Sequence, residues 1–345
     1  MKTAHSLALI SVWTICGCYD FTASNDDHTI TDLKLLAIHT DPPYLKPGEP
    51  LTAEALVADP KGGGRTVSCA WKIDYFDQNI ENADHPTVLM PSKSEGTRIA
   101  LPPIQLRLGD KYTSPLFSLE VFACGGEMRD PARIADSTDR ELLKTLCKKG
   151  PAVVAEKFLT PLETDLKEII GISADNVNVS FNQNNPRVDR LTVNGIEVTA
   201  KEDGGGGVLV CDKTFPCDEP LKLAAYLELS GIDICRITST SPDAGVSSET
   251  DATDESDTGS VDASFAEQHR IDWWVTGGSL SLPWSFISSA GDDHSHSVED
   301  IAGPYQTLWR LPSSGSSAKY TLYVVARDLR GGNGWKTYDF FTTDK

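Results

Sequence analysis

Apolar and polar positions alternate with a period of two over much of the chain, and turn-forming residues punctuate the alternation. Leu33, Leu35 and Ala37 alternate with polar or lighter positions until Asp41-Pro42-Pro43 stops the strand. After a Pro47-Gly48 turn, Leu51, Ala53, Ala55 and Val57 face one way, and Asp59-Pro60 with Gly62-Gly63-Gly64 ends that run. Cys69, Trp71, Ile73 and Tyr75 then share one face, with further strands predicted around Arg98 to Leu101 and Phe117 to Ala123. Short strands with one apolar face, separated by tight turns, are the rhythm of a β-sandwich.

The period changes in the middle. Thr138 and Glu141 form a capping-box pattern ahead of Leu142, Leu143 and Leu146, and Gly150-Pro151 closes that short helix. Val154, Phe158, Leu162, Leu166 and Ile169 recur at helical spacing, predicting a second helix over residues 152–170 that Pro161 breaks or kinks. Strands return near Pro186. Leu191 and Val193, then Asn194-Gly195, then Ile196 and Val198 predict a hairpin with a two-residue type I′ turn. Leu221, Leu223, Ala225, Leu227 and Leu229 alternate without a break and predict a half-buried strand. The resulting fold class is mainly β: two β-sandwich domains, 32–136 and 176–345, with a helical connector over 137–175.

The first apolar run, Leu7 to Ile15, is about half the length a membrane-spanning helix needs, and Lys2 precedes it, which is a secretory signal pattern. Its end, Ile15-Cys16-Gly17-Cys18, resembles the lipobox of bacterial lipoproteins, with an aliphatic residue at −3, a small residue at −1 and then the acylated cysteine. That resemblance implies cleavage after residue 17, a diacylglycerol thioether on Cys18 and a third acyl chain on the new N-terminus. Cys16 fits less well, because Ile15 would fill its −1 position. Two or three chains make attachment effectively permanent. The implied partner is therefore the membrane, through the anchor, and the implied location is the bacterial cell envelope at the outer membrane. Tyr19 to Thr31 are mostly polar, so 18–31 is expected to be a flexible tether.

Charge narrows the partners. The formal net charge is −19, and removing residues 1–17 takes Lys2 and leaves about −20, so neither nucleic acid nor an anionic headgroup surface is expected to bind by bulk electrostatics. Residues 238–268 hold no lysine or arginine but eight acids, among them Asp251, Asp254 and Asp257, and are expected to form a disordered acidic loop. The three-residue spacing of those aspartates differs from the two-residue spacing of an EF-hand calcium loop.

The strands after that loop carry a second resemblance. Ile271-Asp272-Trp273-Trp274-Val275-Thr276-Gly277-Gly278-Ser279, Leu308-Trp309-Arg310-Leu311-Pro312, Leu322 to Asp328 and Arg330-Gly331-Gly332-Asn333-Gly334-Trp335 are similar to the immunoglobulin-like, PKD-like domain of exported bacterial lipoproteins. Asp32 to Asp59 resembles the start of such a domain. The resemblance implies tandem sandwiches behind a lipobox, with Arg327-Asp328 and Gly331-Gly332 serving the last hairpin turn. The immunoglobulin fingerprint itself is not met, because Cys69 and Trp71 share one strand.

Six cysteines remain in the exported chain: Cys69, Cys124, Cys147, Cys211, Cys217 and Cys235. An even number in an oxidising compartment is expected to form disulfides, with 15 pairings open. Cys124 falls on the opposite face from Phe117, Leu119, Val121 and Ala123, which argues against a bridge to Cys69 and makes Cys124 with Cys147 the preferred pair.

No GxSxG elbow, HExxH helix or P-loop is present, and Gly204 to Gly207 lacks the setting of a phosphate cradle. His294 and His296 would lie on one side of a strand with Asp292, Asp293 and Asp300 nearby, a conceivable metal cluster, but Gly291-Asp292-Asp293 reads as a loop where polar residues are ordinary, so no metal or other cofactor is expected. Trp274 should face opposite Trp273, and together with Trp284 it is a candidate for stacking on a ligand, the competing use being a second-sheet or interdomain contact. The expected function is a lipid-anchored, non-catalytic binding, adhesive or structural module with an unknown protein or glycan ligand. The alternative is an envelope hydrolase acting on glycans or peptides.

Overall fold

A computed structural model describes residues 28–45, 48–76, 88–89, 96–101, 103, 116–129, 145, 147–159, 177–180, 184–200, 208–212, 214–216, 219–232, 234–239, 262–266, 269–287, 301–312, 318–328 and 331–342. The chain is mostly strand, and its larger sheets stack in two sandwiches.

In the first sandwich, β1 (Lys34–Asp41), β2 (Leu51–Ala58) and β5 (Arg98–Leu101) form one sheet in the order β1-β2-β5. The facing sheet runs β4-β3-β6-β7, from β4 (Val88–Leu89), β3 (Val67–Phe76), β6 (Leu116–Gly125) and β7 (Ala152–Leu159). Its core holds Leu51, Ala53 and Ala55 from β2, Cys69, Trp71 and Ile73 from β3, and Leu119, Val121 and Ala123 from β6, as the alternation predicts.

The second sandwich stacks two five-stranded sheets. One runs β10-β9-β12-β18-β16, from β9 (Val188–Val193), β10 (Ile196–Val198), β12 (Leu221–Leu227), β16 (Ser279–Leu280) and β18 (Tyr305–Arg310). The other runs β11-β20-β19-β15-β17, from β11 (Val208–Val210), β15 (His269–Val275), β17 (Trp284–Phe286), β19 (Lys319–Asp328) and β20 (Asn333–Thr342). Ile271, Trp273 and Val275 point into the core with Leu322, Val324, Ala326, Tyr338 and Phe340. The β9–β10 hairpin turns at Asn194 (φ 50°) and Gly195 (φ 83°), both left-handed as a type I′ turn requires.

Five expectations are corrected. The strand expected through Leu229 ends at Leu227, and Leu229 falls in the 3₁₀ turn Leu229–Gly231 with its side chain exposed. Residues 152–159 are the strand β7, paired along β6 from Phe117↔Leu159 to Cys124↔Ala152. Val153, Ala155 and Leu159 pack on the first core, and buried Lys157 interrupts their alternation, which is why helical spacing stood out. The first sandwich therefore extends past 136. Thr138, Glu141 and residues 160–170 lie outside the described residues.

The acidic stretch is bounded by structure. Asp262–Ala266 is strand β14, antiparallel to β13 (Ile234–Ser239), which also pairs with β8 (Val177–Ser180). The period-two pattern of Asp-Ala-Ser-Phe-Ala outweighs the acidic composition there. Residues 240–261 lie outside the described residues.

The tether also ends earlier than expected. His28 and Ile30 are buried, and Thr29 bridges Val275 in parallel.

Cys69 is a buried thiol rather than half of a disulfide. In the β3–β6 register it lies across from Ala123, while Cys124 lies across from Ser68 on the other face, where it bonds Cys147.

The two sandwiches meet at β1. This strand is the edge of its sheet, so its alternate carbonyls face away from β2. Arg327 Nη2 donates to the Leu36 carbonyl (2.6 Å), Asn333 Nδ2 to that of Ile38 (3.0 Å) and Asn185 Nδ2 to that of Thr40 (2.8 Å). Lys157 Nζ adds bonds to the Ile38 carbonyl (3.2 Å) and Thr40 Oγ1 (2.9 Å). Arg327 is itself held by Asp272 (2.5 Å) and by Asn333 Oδ1 (3.0 Å). A small apolar seam of Ile30, Leu36, Ala37, Leu56 and Ala58 against Trp274 and Val325 completes the joint.

Replacing Arg327 with Ala leaves Asp272, 1% exposed, with a reduced complement of donors and opens the Leu36 carbonyl. The expected loss of stability is about 3 kcal/mol, read as a lowered urea midpoint, with Arg327→Lys recovering only part because a lysine cannot reproduce the fork.

Candidate functional site

Two places gather chemistry: the junction around β1 and the outer face of the β15–β17 sheet. At the junction, His39 sits in a cleft of about 390 Å³ whose walls include Asp41, Glu54, Arg187, Glu228 and Trp335. Its Nδ1 donates to the Asn333 carbonyl (2.5 Å), and its ring meets Trp335 edge-on. Burial holds His39 below the ordinary histidine range, against the Asn333 hydrogen bond, with Lys157 adding to the lowering and Asp41 and Glu54 opposing it. Arg187 faces Glu228 at 4.0 Å, and Lys336 Nζ donates to the Asp189 carbonyl. A neighbouring cleft of about 420 Å³ is walled by Asp189, Arg190, Glu197 and Lys336, with Arg190 lying 4.3 Å over the Tyr226 ring.

His39, Asn185 and Lys336 hold backbone here, while Asp41, Glu54, Arg187 and Glu228 line the cleft. Among the described residues, no group of three or more His, Cys, Asp or Glu is placed to hold a metal ion. Buried carboxylates are committed elsewhere: Asp272 to Arg327 and Arg270, Asp328 to the Gly332 amide (2.6 Å), and Asp339 to Thr321 and Lys319 (2.9 Å each). The Asp328–Gly332 bond closes the turn between β19 and β20, where Gly331 takes φ 100°. That matches the turn role the resemblance implies for Asp328 and Gly331-Gly332, while Arg327 serves the joint instead.

On the outer sheet face the two tryptophan candidates separate. Trp274 is 2% exposed. His28 stacks on it at 3.8 Å and Lys34 Nζ sits 4.4 Å from its ring, so its ligand-stacking role is corrected to the interdomain contact. The face alternation of β15 turns Trp274 outward, and the first sandwich covers that face. Trp284 is 41% exposed and stacks on Phe286 (52% exposed) with centroids 5.4 Å apart at 14°. Ser285, between them, turns inward and accepts from Trp273 Nε1 (2.9 Å), fixing β17 on the core. Phe286 escaped notice in the sequence, although its spacing of two from Trp284 places both rings on one face.

Of the cysteines, Cys124 and Cys147 are bonded (Cα–Cα 5.5 Å) and Cys211 is disulfide-bonded. Cys217 and the Cys235 side chain lie outside the described residues, as do Cys18, Gly204 to Gly207, Asp251, Asp254, Asp257, His294, His296, Asp292, Asp293 and Asp300. Among the described residues no helix is long and apolar enough to cross a membrane.

No protein-family profile and no curated protein matches the chain. Among solved structures it is similar to the fibronectin(III)-like modules of CbhA from Clostridium thermocellum (10% identity, 89% of this chain and 94% of that one, TM-score 0.21). It is also similar to dimeric latent PorU from Porphyromonas gingivalis (10% identity, 91% and 24%, TM-score 0.19). A Corynebacterium diphtheriae protein named as membrane anchored aligns at 12% identity over 92% of this chain and 60% of that one, with TM-score 0.20. At such scores these likenesses carry no argument about function, and the sandwich fold stands on the sheets described above.

Two outcomes follow. Burial pushes the Cys69 thiol up to about 12, so Cys69 is expected to resist maleimide at pH 8 in the native protein and to react once denatured, as read by peptide mapping. His28 and His39 both lie below their ordinary value of 6.5, each chiefly through burial. The unfolded chain then binds more protons than the folded one as pH falls below about 6.5, so stability is full above that pH and declines toward the depressed folded values. A His28→Gln/His39→Gln variant is expected to flatten the urea midpoint between pH 7 and pH 5.

Proposed function

We propose that this chain is a lipid-anchored cell-envelope protein, held at the outer membrane through Cys18, that acts as a non-catalytic binding, adhesive or structural module. The observation that carries the reading is the use of its buried polar side chains. Arg327, Asp272, Asn333 and Asn185 are spent on joining two sandwiches along the β1 edge, and Lys157 holds the same edge from within the first sandwich. The buried carboxylates Asp272, Asp339 and Asp328 face arginine, lysine, a hydroxyl and a turn amide. A hydrolase acting on glycans or peptides needs two carboxylates, or a nucleophile and a base, facing a common void, and the cleft that holds His39, Asp41, Glu54 and Glu228 is where that alternative would act. The disulfide between Cys124 and Cys147 fits an oxidising compartment.

The anchor is tested with a Cys18→Ser variant, expected to lose incorporation of labelled palmitate and to leave the membrane fraction. Retention of both by the variant overturns the lipid anchor. Turnover of an envelope glycan or peptide by the purified wild-type chain overturns the non-catalytic reading.

A further inference from the structure

We propose that the strip formed by Trp284 and Phe286 is a membrane-contact surface that settles into the headgroup–acyl boundary of a phospholipid bilayer and orients the two-sandwich body on it. The inference rests on the lipid-anchor reading and extends it from attachment to orientation.

The strip is the first support. Trp284 and Phe286 are 41% and 52% exposed on β17, which is the edge strand of its sheet. In the β15–β17 register Trp284 lies across from Asp272 and Phe286 across from Arg270, so both rings are on the outer face. A tryptophan stacked on a phenylalanine, with the partly exposed Arg270 across from the phenylalanine, combines residue types that partition to a membrane interface.

The second support is where the chain leads. Successive amides on one edge of β15 are taken by the two segments: Trp273 N–H donates to Pro283 O (2.9 Å) and Val275 N–H to His28 O (3.1 Å). Those amides are two residues apart, about 7 Å in a strand. Because Thr29 bridges Val275 in parallel, the backbone followed backwards from His28 heads along β15 toward Pro283 and Trp284. Nine residues separate His28 from Cys18. That length spans about 17 Å as a flexible coil and about 35 Å at full extension. Acyl chains on Cys18 would thus be tied within that reach of the strip. The proximity acts as a high effective concentration, so a weak interfacial preference suffices.

The test compares wild type with Trp284→Phe in vesicles of phosphatidylcholine brominated along its acyl chains. The other described tryptophans are buried or partly covered, so the wild-type chain is expected to show a quenched component that the variant lacks. Trp284→Ser/Phe286→Ser, checked for an unchanged unfolding midpoint, should restore the mobility of the tethered body on the vesicle, read by fluorescence anisotropy. Equal quenching in wild type and Trp284→Phe overturns the proposal. So does perturbation of Trp284 emission by a neutral glycan with no effect of brominated lipid, which would make the strip a sugar platform. The mass of the N-terminal peptide reads lipidation separately. If Cys18 proves unmodified, coupling its thiol to a maleimide lipid supplies the tether and the same difference is measured, so failure of the anchor and failure of the strip are distinct results.

Discussion

The arrangement depends on what satisfies the open edge of β1. A strand at the end of a sheet leaves every second carbonyl and amide without a ladder partner, and burying them that way is costly. Here the carbonyls of Leu36, Ile38 and Thr40 accept from Arg327, Asn333 and Asn185, all from beyond the first sandwich. Side chains cap the edge where another strand would otherwise pair. Arg327 can be buried for this because Asp272 neutralises it and Asn333 takes a further donor. Breaking any member leaves another stranded, so the network gives the joint one geometry rather than a range of them.

That constraint gives β1 two apolar faces. Leu35 and Ile38 belong to the first core, while Leu36 and Ala37 line the seam, with a register shift between Leu35 and Ala37. The same constraint divides the outer face of the β15 sheet. The part under β1 and β2 is covered, and Trp274 there becomes packing, sandwiched by His28 with Lys34 above it. The part beyond, at β17, is left to solvent, and Trp284 with Phe286 is what it shows. Two tryptophans on one face thus take opposite roles according to how far the first sandwich reaches.

The segments whose local pattern misled are those completed by distant partners. Residues 152–159 carry helical spacing on one reading and strand parity on another, and the free ladder of β6 selects the strand. Lys157 breaks the apolar parity because its ammonium serves the β1 edge, a requirement with no local trace. In the acidic stretch, Asp262–Ala266 is held by β13, a distant partner that composition does not reveal.

What the sequence determined by itself was parity: which of Leu51 to Ala55, Cys69 to Ile73, Leu119 to Ala123 and Leu221 to Leu227 share a face, where Asn194-Gly195 turns, and that Cys124 points away from Cys69. These follow from the two-residue repeat of an extended chain and from backbone angles available to particular residues, both local properties. The tertiary structure decided which outward face meets water and which meets another sandwich. That choice rests on matching an open strand edge near residue 38 to donors near residues 185, 327 and 333, and no local pattern records a partner nearly three hundred residues away. Burial of Trp274, exposure of Trp284 and the docking of His28 all follow from that one match.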